Sequence, residues 1–289
     1  MAKRRRDVGA SVRARLLNLA REKGRAFDIV LNRYILERLL HRLSLSKYRD
    51  RFALKGALLI TTWFADPHRP TRDVDLLGFG DSSVEAIRLI FREVCEIQAD
   101  DGVTFRTGTI RVEPIREELE YGGIRVRTIA EIAGARVTSV IDVGFGDSVE
   151  PGLEDIELPV LLDLPAPRLR AYARETVIAE KFEAMVRFGR ADSRMKDFYD
   201  IWLLSNTHKF DNERLSKAIA ATFQRRGTAL PLATPDALSA EFARDPVKRE
   251  QWRAFVRDLA NDPGSLEGVI EHLAGFLMPV TARALRFSS

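Results

Sequence analysis

Apolar residues between positions 12 and 45 recur at helical spacing: Leu16, Leu19 and Ala20, then Ile29, Val30, Tyr34, Leu39, Leu40 and Leu43. Side chains three and four apart share one helical face, so the pattern predicts two amphipathic helices divided at Gly24. Residues 54–64 are too long a run, and too rich in Leu and Ala, for an ordinary strand. They predict a buried helix entered through Lys55-Gly56. Pro67 and Pro70 predict a loop, followed by a short strand, Asp73-Val74-Asp75-Leu76-Leu77, that ends at Gly78 and Gly80. Residues 83–98 predict a helix with Ala86, Ile87, Ile90, Phe91 and Val94 on one face.

From about 103 to 162 the period changes from helical to alternating. Ile110-Arg111-Val112-Glu113 and Ile124-Arg125-Val126-Arg127 alternate apolar with charged residues, as half-buried strands do. Residues 137–143 predict a further strand after a turn at Gly134, and Pro159, Pro165 and Pro167 close the region. Residues 174–204 are again helical in pattern, as is most of 211–286, with breaks near Gly227, Pro235, Pro246 and Pro263. Helices, a mixed sheet and a helical second half make an α+β fold. The expected parts are basic helices over 1–50, a sheet-containing core over 51–167 and a helical C-terminal domain over 168–289.

Composition narrows the classes. The chain has 289 residues, 45% hydrophobic and 30% charged, which suits one large globular domain or two modest ones. No apolar run approaches the ~20 residues that span a bilayer, and no apolar stretch follows Lys3-Arg4-Arg5-Arg6 as in a secretory signal. The lone Cys95 cannot form an internal disulfide, and the four histidines lack zinc-ligand spacing. A cytoplasmic protein with no membrane association and no structural metal is expected. The net charge of +4 is uneven: residues 1–50 carry 14 Lys/Arg against 5 Asp/Glu. Such a segment fits a polyanion partner, whose counterions it would release, or an Arg-rich solvated helix surface; charge alone leaves both open.

Three constellations carry candidate chemistry. In Arg69-Pro70-Thr71-Arg72-Asp73-Val74-Asp75, the two aspartates lie about 6.5–7 Å apart along one strand face, where they can converge on a hard divalent cation. Val74, Leu76 and Leu77 argue against a solvated turn. Asp142 stands inside the apolar strand Ile141-Asp142-Val143; an ionised carboxylate there needs a cation or several donors, or else sits at a strand end accepting backbone N–H groups. In Glu180-Lys181 and Arg194-Met195-Lys196-Asp197-Phe198-Tyr199-Asp200, helical spacing puts Asp197 and Asp200 on one face with Arg194 beside Asp197, while Phe182, Met185, Phe198 and Ile201 turn inward. Ion pairing among Lys181, Arg194, Asp197 and Asp200 is the structural expectation; a cation cluster facing a triphosphate is the functional one.

In this order the segments resemble the AbiEii/AbiGii toxin family of nucleotidyltransferases, which includes the MenT-type toxins and belongs to the DNA polymerase β superfamily. Gly56-Ala57 with Asp73 and Asp75 looks like the family's first motif, although Ala57 stands where Gly or Ser is more usual. Asp142 looks like its single-carboxylate motif; Glu180-Lys181 and the segment from Arg194 to Asp200 look like its Glu-Lys helix and Arg-x-Lys-Asp-x-x-Asp motif. Ser11-Val12-Arg13-Ala14-Arg15 is similar to one branch of the family, and the matches cover about residues 54–204.

The resemblance implies a polymerase β-type mixed sheet over 51–167 and transfer of a nucleotide from a nucleoside triphosphate. Asp73, Asp75 and Asp142 would bind Mg²⁺ or Mn²⁺, with Asp142 on a second metal or drawing the proton from the acceptor hydroxyl. Lys181 would contact the triphosphate and Asp197 would position Lys181 or the nucleotide. Gly56, Ala57, Arg69 and Thr71 would line the nucleotide pocket, and Thr71 matches a Ser/Thr that can be self-modified in some relatives. The family's members act as toxins with a cognate antitoxin protein, and several modify tRNA 3′ ends, so RNA is the expected acceptor. Two other classes are a metal-dependent Asp-x-Asp enzyme using a sugar nucleotide and a non-catalytic RNA- or protein-binding module. Neither a phosphatase nor a sugar-nucleotide enzyme accounts for the residues: Arg69-Pro70-Thr71-Arg72 replaces the apolar strand a phosphatase needs, and a glycosyltransferase leaves Lys181 and the 194–200 motif unexplained.

Overall fold

A computed structural model describes residues 7–64, 71–115, 122–257, 259 and 261–287. In chain order the elements are α1 (Val8–Glu22), α2 (Phe27–Leu45), β1 (Phe52–Lys55), α3 (Gly56–Ile60), β2 (Asp73–Gly78), α4 (Val84–Glu96), β3 (Thr104–Ile115), β4 (Gly123–Ile132) and β5 (Ala135–Phe145). They are followed by β6 (Leu153–Glu157), β7 (Arg168–Tyr172), α5 (Arg174–Phe188), α6 (Met195–Thr207), α7 (Asn212–Arg225), α8 (Ala240–Arg244), α9 (Pro246–Val256) and α10 (Leu266–Ala284). Among the described residues no helix is long and apolar enough to cross a membrane.

Two compact units share the chain. One comprises Met1–Gly146 and Asp155–Ala171, the other Asp147–Glu154 and Tyr172–Ser289. The fold is the expected mixture of a sheet with flanking helices. The sheet has seven strands in the order β3-β4-β5-β2-β1-β7-β6. β2 runs parallel to β5 and antiparallel to β1, while β3, β4 and β5 form an antiparallel meander.

Alternation makes the sheet two-faced. On β2 the side chains of Val74 and Leu76 are buried and those of Asp73 and Asp75 are half-buried. Ile141 and Val143 of β5 are buried likewise, and Asp142 between them turns to the same face as Asp75, its direct cross-strand partner. Strand period alone therefore separates the core from the carboxylates. Ile87, Ile90, Phe91 and Val94 of α4 are buried as one stripe, and Phe91 meets Phe52 of β1 with ring centroids 5.7 Å apart.

Residues 54–64 depart from expectation. Leu54 and Lys55 end β1, and the helix begins only at Gly56 and gives way to a 3-10 turn at Thr61. Phe52, Ala53 and Leu54 are all buried, so the strand lacks the alternation that would have marked it. The two N-terminal helices do divide at Gly24, which takes φ +59°. Pro246 opens α9 rather than only ending its predecessor: Asp245 caps the helix through the Val247 and Lys248 amides, and proline fits the first turn because its missing N–H would have had no intrahelical partner. The loop expected at Pro67 and Pro70 lies outside the described residues.

In the second unit, α5 packs with α7 through Phe182 and Phe223, whose ring centroids are 5.4 Å apart. Phe182, Met185, Phe198 and Ile201 are fully buried, as their helical spacing required. Just past the C-terminal end of α7, Arg226 centres a half-buried charge network around the fully buried Glu183. Arg226 pairs with Asp147 at 3.2 Å, Glu180 at 3.0 Å and Glu183 at 3.0 Å, and Thr228 also donates to Glu183.

Candidate active site

Three neighbouring features of the first unit build the acidic site. β2 offers Asp73 and Asp75, β5 offers Asp142, and the register sets Asp75 directly across from Asp142. One carboxylate oxygen from each of the three residues lies within 4.8 Å of the others. Each is half-buried, reachable from solvent yet backed by the sheet core. Like charges this close repel, and the repulsion is relieved when a cation is shared among them. The donor set is all hard carboxylate oxygen, which suits Mg²⁺ or Mn²⁺ and not a soft metal. The residues thus fit a divalent cation by both geometry and chemistry.

Gly56 is the structural condition for this arrangement. It follows β1 with φ +70°, a conformation costly for side-chain-bearing residues. A Cβ built there would lie 1.9 Å from Asp75 Oδ2. Glycine lets the chain turn from β1 into α3 while the Asp75 carboxylate rests against the bare Cα. Ala57, next in α3, is half-buried. Thr71 donates its hydroxyl to Asp73 Oδ1 at 2.8 Å, orienting the first carboxylate. Arg69 lies outside the described residues.

A fourth side chain, not singled out by sequence, completes the site. Arg125 on β4 is the cross-strand partner of Asp142 and forms a two-pronged pair with it: Nε to Oδ1 at 2.7 Å and Nη2 to Oδ2 at 2.6 Å. These hydrogen bonds, opposed by partial burial, hold the guanidinium above its ordinary pKa. In sequence Arg125 is one of several exposed-face charges on alternating strands. Only the register distinguishes it from Arg127, which lies across from Val140 and pairs with Glu113.

Lys181 and Asp197 belong to a cluster in the second unit. Lys181 Nζ lies 2.5 Å from Asp197 Oδ1 and 2.9 Å from Asp200 Oδ2. Arg194 reaches Asp197 at 3.5 Å and Asp192 at 3.3 Å. The expected ion pairing on one helical face is present, but deeper than a solvated rim: Lys181 is 12% exposed and Asp200 1%. Glu180 faces Arg226 and the Tyr172 hydroxyl, which donates to it at 3.2 Å.

Comparison with known proteins bears on most of the chain. The sequence profile of a family described as "Nucleotidyl transferase AbiEii toxin, Type IV TA system" matches residues 38–272. Sequence comparison with curated proteins gives no match. Two solved structures from Helicobacter pylori are similar in part. One, described provisionally as a nucleotidyltransferase, is 13% identical, with 87% of this chain and 94% of that chain covered and a TM-score of 0.49. The other, JHP933, is 14% identical, with 87% and 90% covered and a TM-score of 0.49.

Proposed function

Because the chain belongs to the AbiEii family of nucleotidyltransferase toxins, we propose that it transfers nucleotides from a nucleoside triphosphate to an RNA acceptor, with the tRNA 3′ end as the preferred target. The observation that carries the reading is the convergence of Asp73, Asp75 and Asp142 from two adjacent strands. Asp73 and Asp75 hold the divalent cation, Mg²⁺ or Mn²⁺, and Asp142 either shares it or a second one, or takes the proton of the attacking hydroxyl. A bound cation supplies positive charge that stabilises the attacking and leaving oxygens of an in-line displacement at the α-phosphorus.

The remaining roles follow from what each side chain can do. Thr71 fixes the orientation of Asp73 through its hydroxyl. Gly56 leaves room for the Asp75 carboxylate against its bare Cα, and together with the small Ala57 it lines the nucleotide pocket at the start of α3. Lys181 contacts the triphosphate and offsets charge developing on pyrophosphate, while Asp197 holds its ammonium in position. A protein antitoxin is the expected partner of the toxin.

An acceptor assay tests this reading. Purified tRNA with an intact 3′ end should become labelled from a triphosphate labelled at its α-phosphate, and tRNA whose terminal ribose has been oxidised with periodate should not. Labelling of oxidised and intact tRNA alike, or of protein alone, would contradict the proposed acceptor chemistry.

A further inference from the structure

The sheet register lines up five charged residues in one row, each directly opposite the next: Glu113 on β3, Arg125 on β4, Asp142 on β5, Asp75 on β2 and Lys55 on β1. Two carboxylates stand side by side in the middle of the row, with a cation on either flank. On one flank Arg125 takes both oxygens of Asp142, in the planar two-pronged geometry that is the strongest form of this ion pair. An oxygen engaged in this way is a poorer ligand for a metal, because guanidinium and metal compete for the same lone pairs and repel one another.

We infer that Arg125 is a positioning residue that latches Asp142 in the cation-free site and must let go, at least in part, for the site to load. The inference rests on the Asp triad being a divalent-cation site. The guanidinium serves two ends. Without a cation it offsets the repulsion among the three carboxylates and keeps Asp142 in place. When a cation arrives and takes that compensating role, Asp142 no longer needs Arg125. The side chain is about one-third exposed (34%), so it has room to swing, and its freed donors are then available to a phosphate of the incoming triphosphate. Loading of the site and creation of a phosphate contact would thus be coupled through one side chain. The exchange moves charges and hydrogen bonds only; no covalent bond forms or breaks.

The test compares the full chain with Arg125→Met, which keeps the aliphatic stem but loses the charge, and with Arg125→Lys, which keeps the charge but not the two-pronged geometry. Mn²⁺ binding without nucleotide is read by electron paramagnetic resonance, and thermal midpoints are read in chelator and in Mn²⁺. Arg125→Met should bind Mn²⁺ more tightly by on the order of tenfold, comparable to the smaller effects that a neighbouring opposite charge has on a carboxylate's affinity for a proton. Its midpoint should fall in chelator and recover in Mn²⁺ by a larger increment than wild type shows. Arg125→Lys should fall between the two, and it carries the test should the methionine variant not fold. Equal or weaker Mn²⁺ binding in the variants, with the midpoint lowered equally in both buffers, would reduce Arg125 to a structural ion pair and overturn the inference. Absence of Mn²⁺ binding in wild type and variants alike would overturn the metal site itself and the latch with it; binding by wild type that is lost in Asp75→Asn isolates the latch as the point under test.

Discussion

At the scale of single residues, the site depends on atoms that touch. Asp73→Asn and Asp75→Asn change almost no volume but each removes a metal ligand and one of three clustered negative charges. Both variants should lose transfer while keeping their circular dichroism, and in chelator their thermal midpoints should be unchanged or raised, because repulsion within the triad is relieved. A variant without either activity or structure would point to a structural role for the carboxylate. Gly56→Ala is expected to be far more damaging than its size implies. It places a Cβ 1.9 Å from Asp75 Oδ2 and demands φ +70° of an alanine, a conformation that alone costs about 1–2 kcal/mol. Chemical denaturation should show at least that loss, and Mn²⁺ binding should weaken because Asp75 must move. Cys95 offers a separate check on the core behind the site. Burial pushes its thiol up to about 12, so a thiol reagent at pH 8 should label it only after unfolding.

At the scale of elements, the strands that carry the aspartates were legible because each shows a carboxylate against an apolar background: Val74, Leu76 and Leu77 around Asp75, Ile141 and Val143 around Asp142. β1, β6 and β7 were not. β1 is buried on both faces and merges in composition with α3; β6 is short and largely polar; β7 is only five residues long and follows Pro165 and Pro167. Register was also invisible, since sequence period says which residues share a face but not which stand opposite one another. That is why Arg125 emerged only from pairing. Helical spacing, by contrast, set out the cluster of α5 and α6, but not its depth. If Lys181 were on a solvated surface, its loss would cost at most about 1 kcal/mol. With Asp197 and Asp200 both buried against it, Lys181→Ala removes the cation they share, though Arg194 still reaches Asp197, and breaking a buried pair in this way costs about 3–5 kcal/mol. Urea denaturation should therefore show a clear loss, and adding Asp200→Asn should restore part of it. Nucleotide affinity, measured on the Lys181→Ala protein under conditions where it is folded, separates the two roles. Unchanged affinity would leave Lys181 a purely structural cation.

At the scale of the whole molecule, the basic character of the first 50 residues proves to be divided in purpose. Arg42 is buried against Asp101, at 2.6 Å; Arg38 donates to the Pro165 carbonyl; and Arg33 pairs with Glu37. Lys47 and Arg49 face Glu93 and Asp155. Arg42, Arg38 and Arg33 thus hold the first unit together and are poorly placed to bind a polyanion, whereas Lys47 and Arg49 make their pairs at the solvent-accessible surface. Arg13, Arg15 and Arg21 on α1 remain exposed to solvent, whereas Arg4 and Arg5 lie outside the described residues. If RNA is gripped here, reversing Arg13, Arg15 and Arg21 to Glu should weaken RNA binding and flatten its salt dependence, by about 0.7–0.9 in slope for every phosphate that is no longer neutralised. Triphosphate binding should survive the change. RNA binding that is insensitive to salt, or unaltered in the triple variant, would remove α1 from the acceptor surface.

The central claim is that Asp73, Asp75 and Asp142 form a metal-dependent nucleotidyl-transfer site, and its most direct test is a single comparison. The wild-type protein and Asp75→Asn, each with and without chelator, are incubated with total RNA and a nucleoside triphosphate labelled at its α-phosphate. The label that becomes attached to macromolecules is then counted. Label should appear only with wild-type protein in the presence of Mg²⁺ or Mn²⁺, accompanied by equimolar release of pyrophosphate. Equal labelling by Asp75→Asn, or labelling by wild type that persists in chelator, would contradict the account.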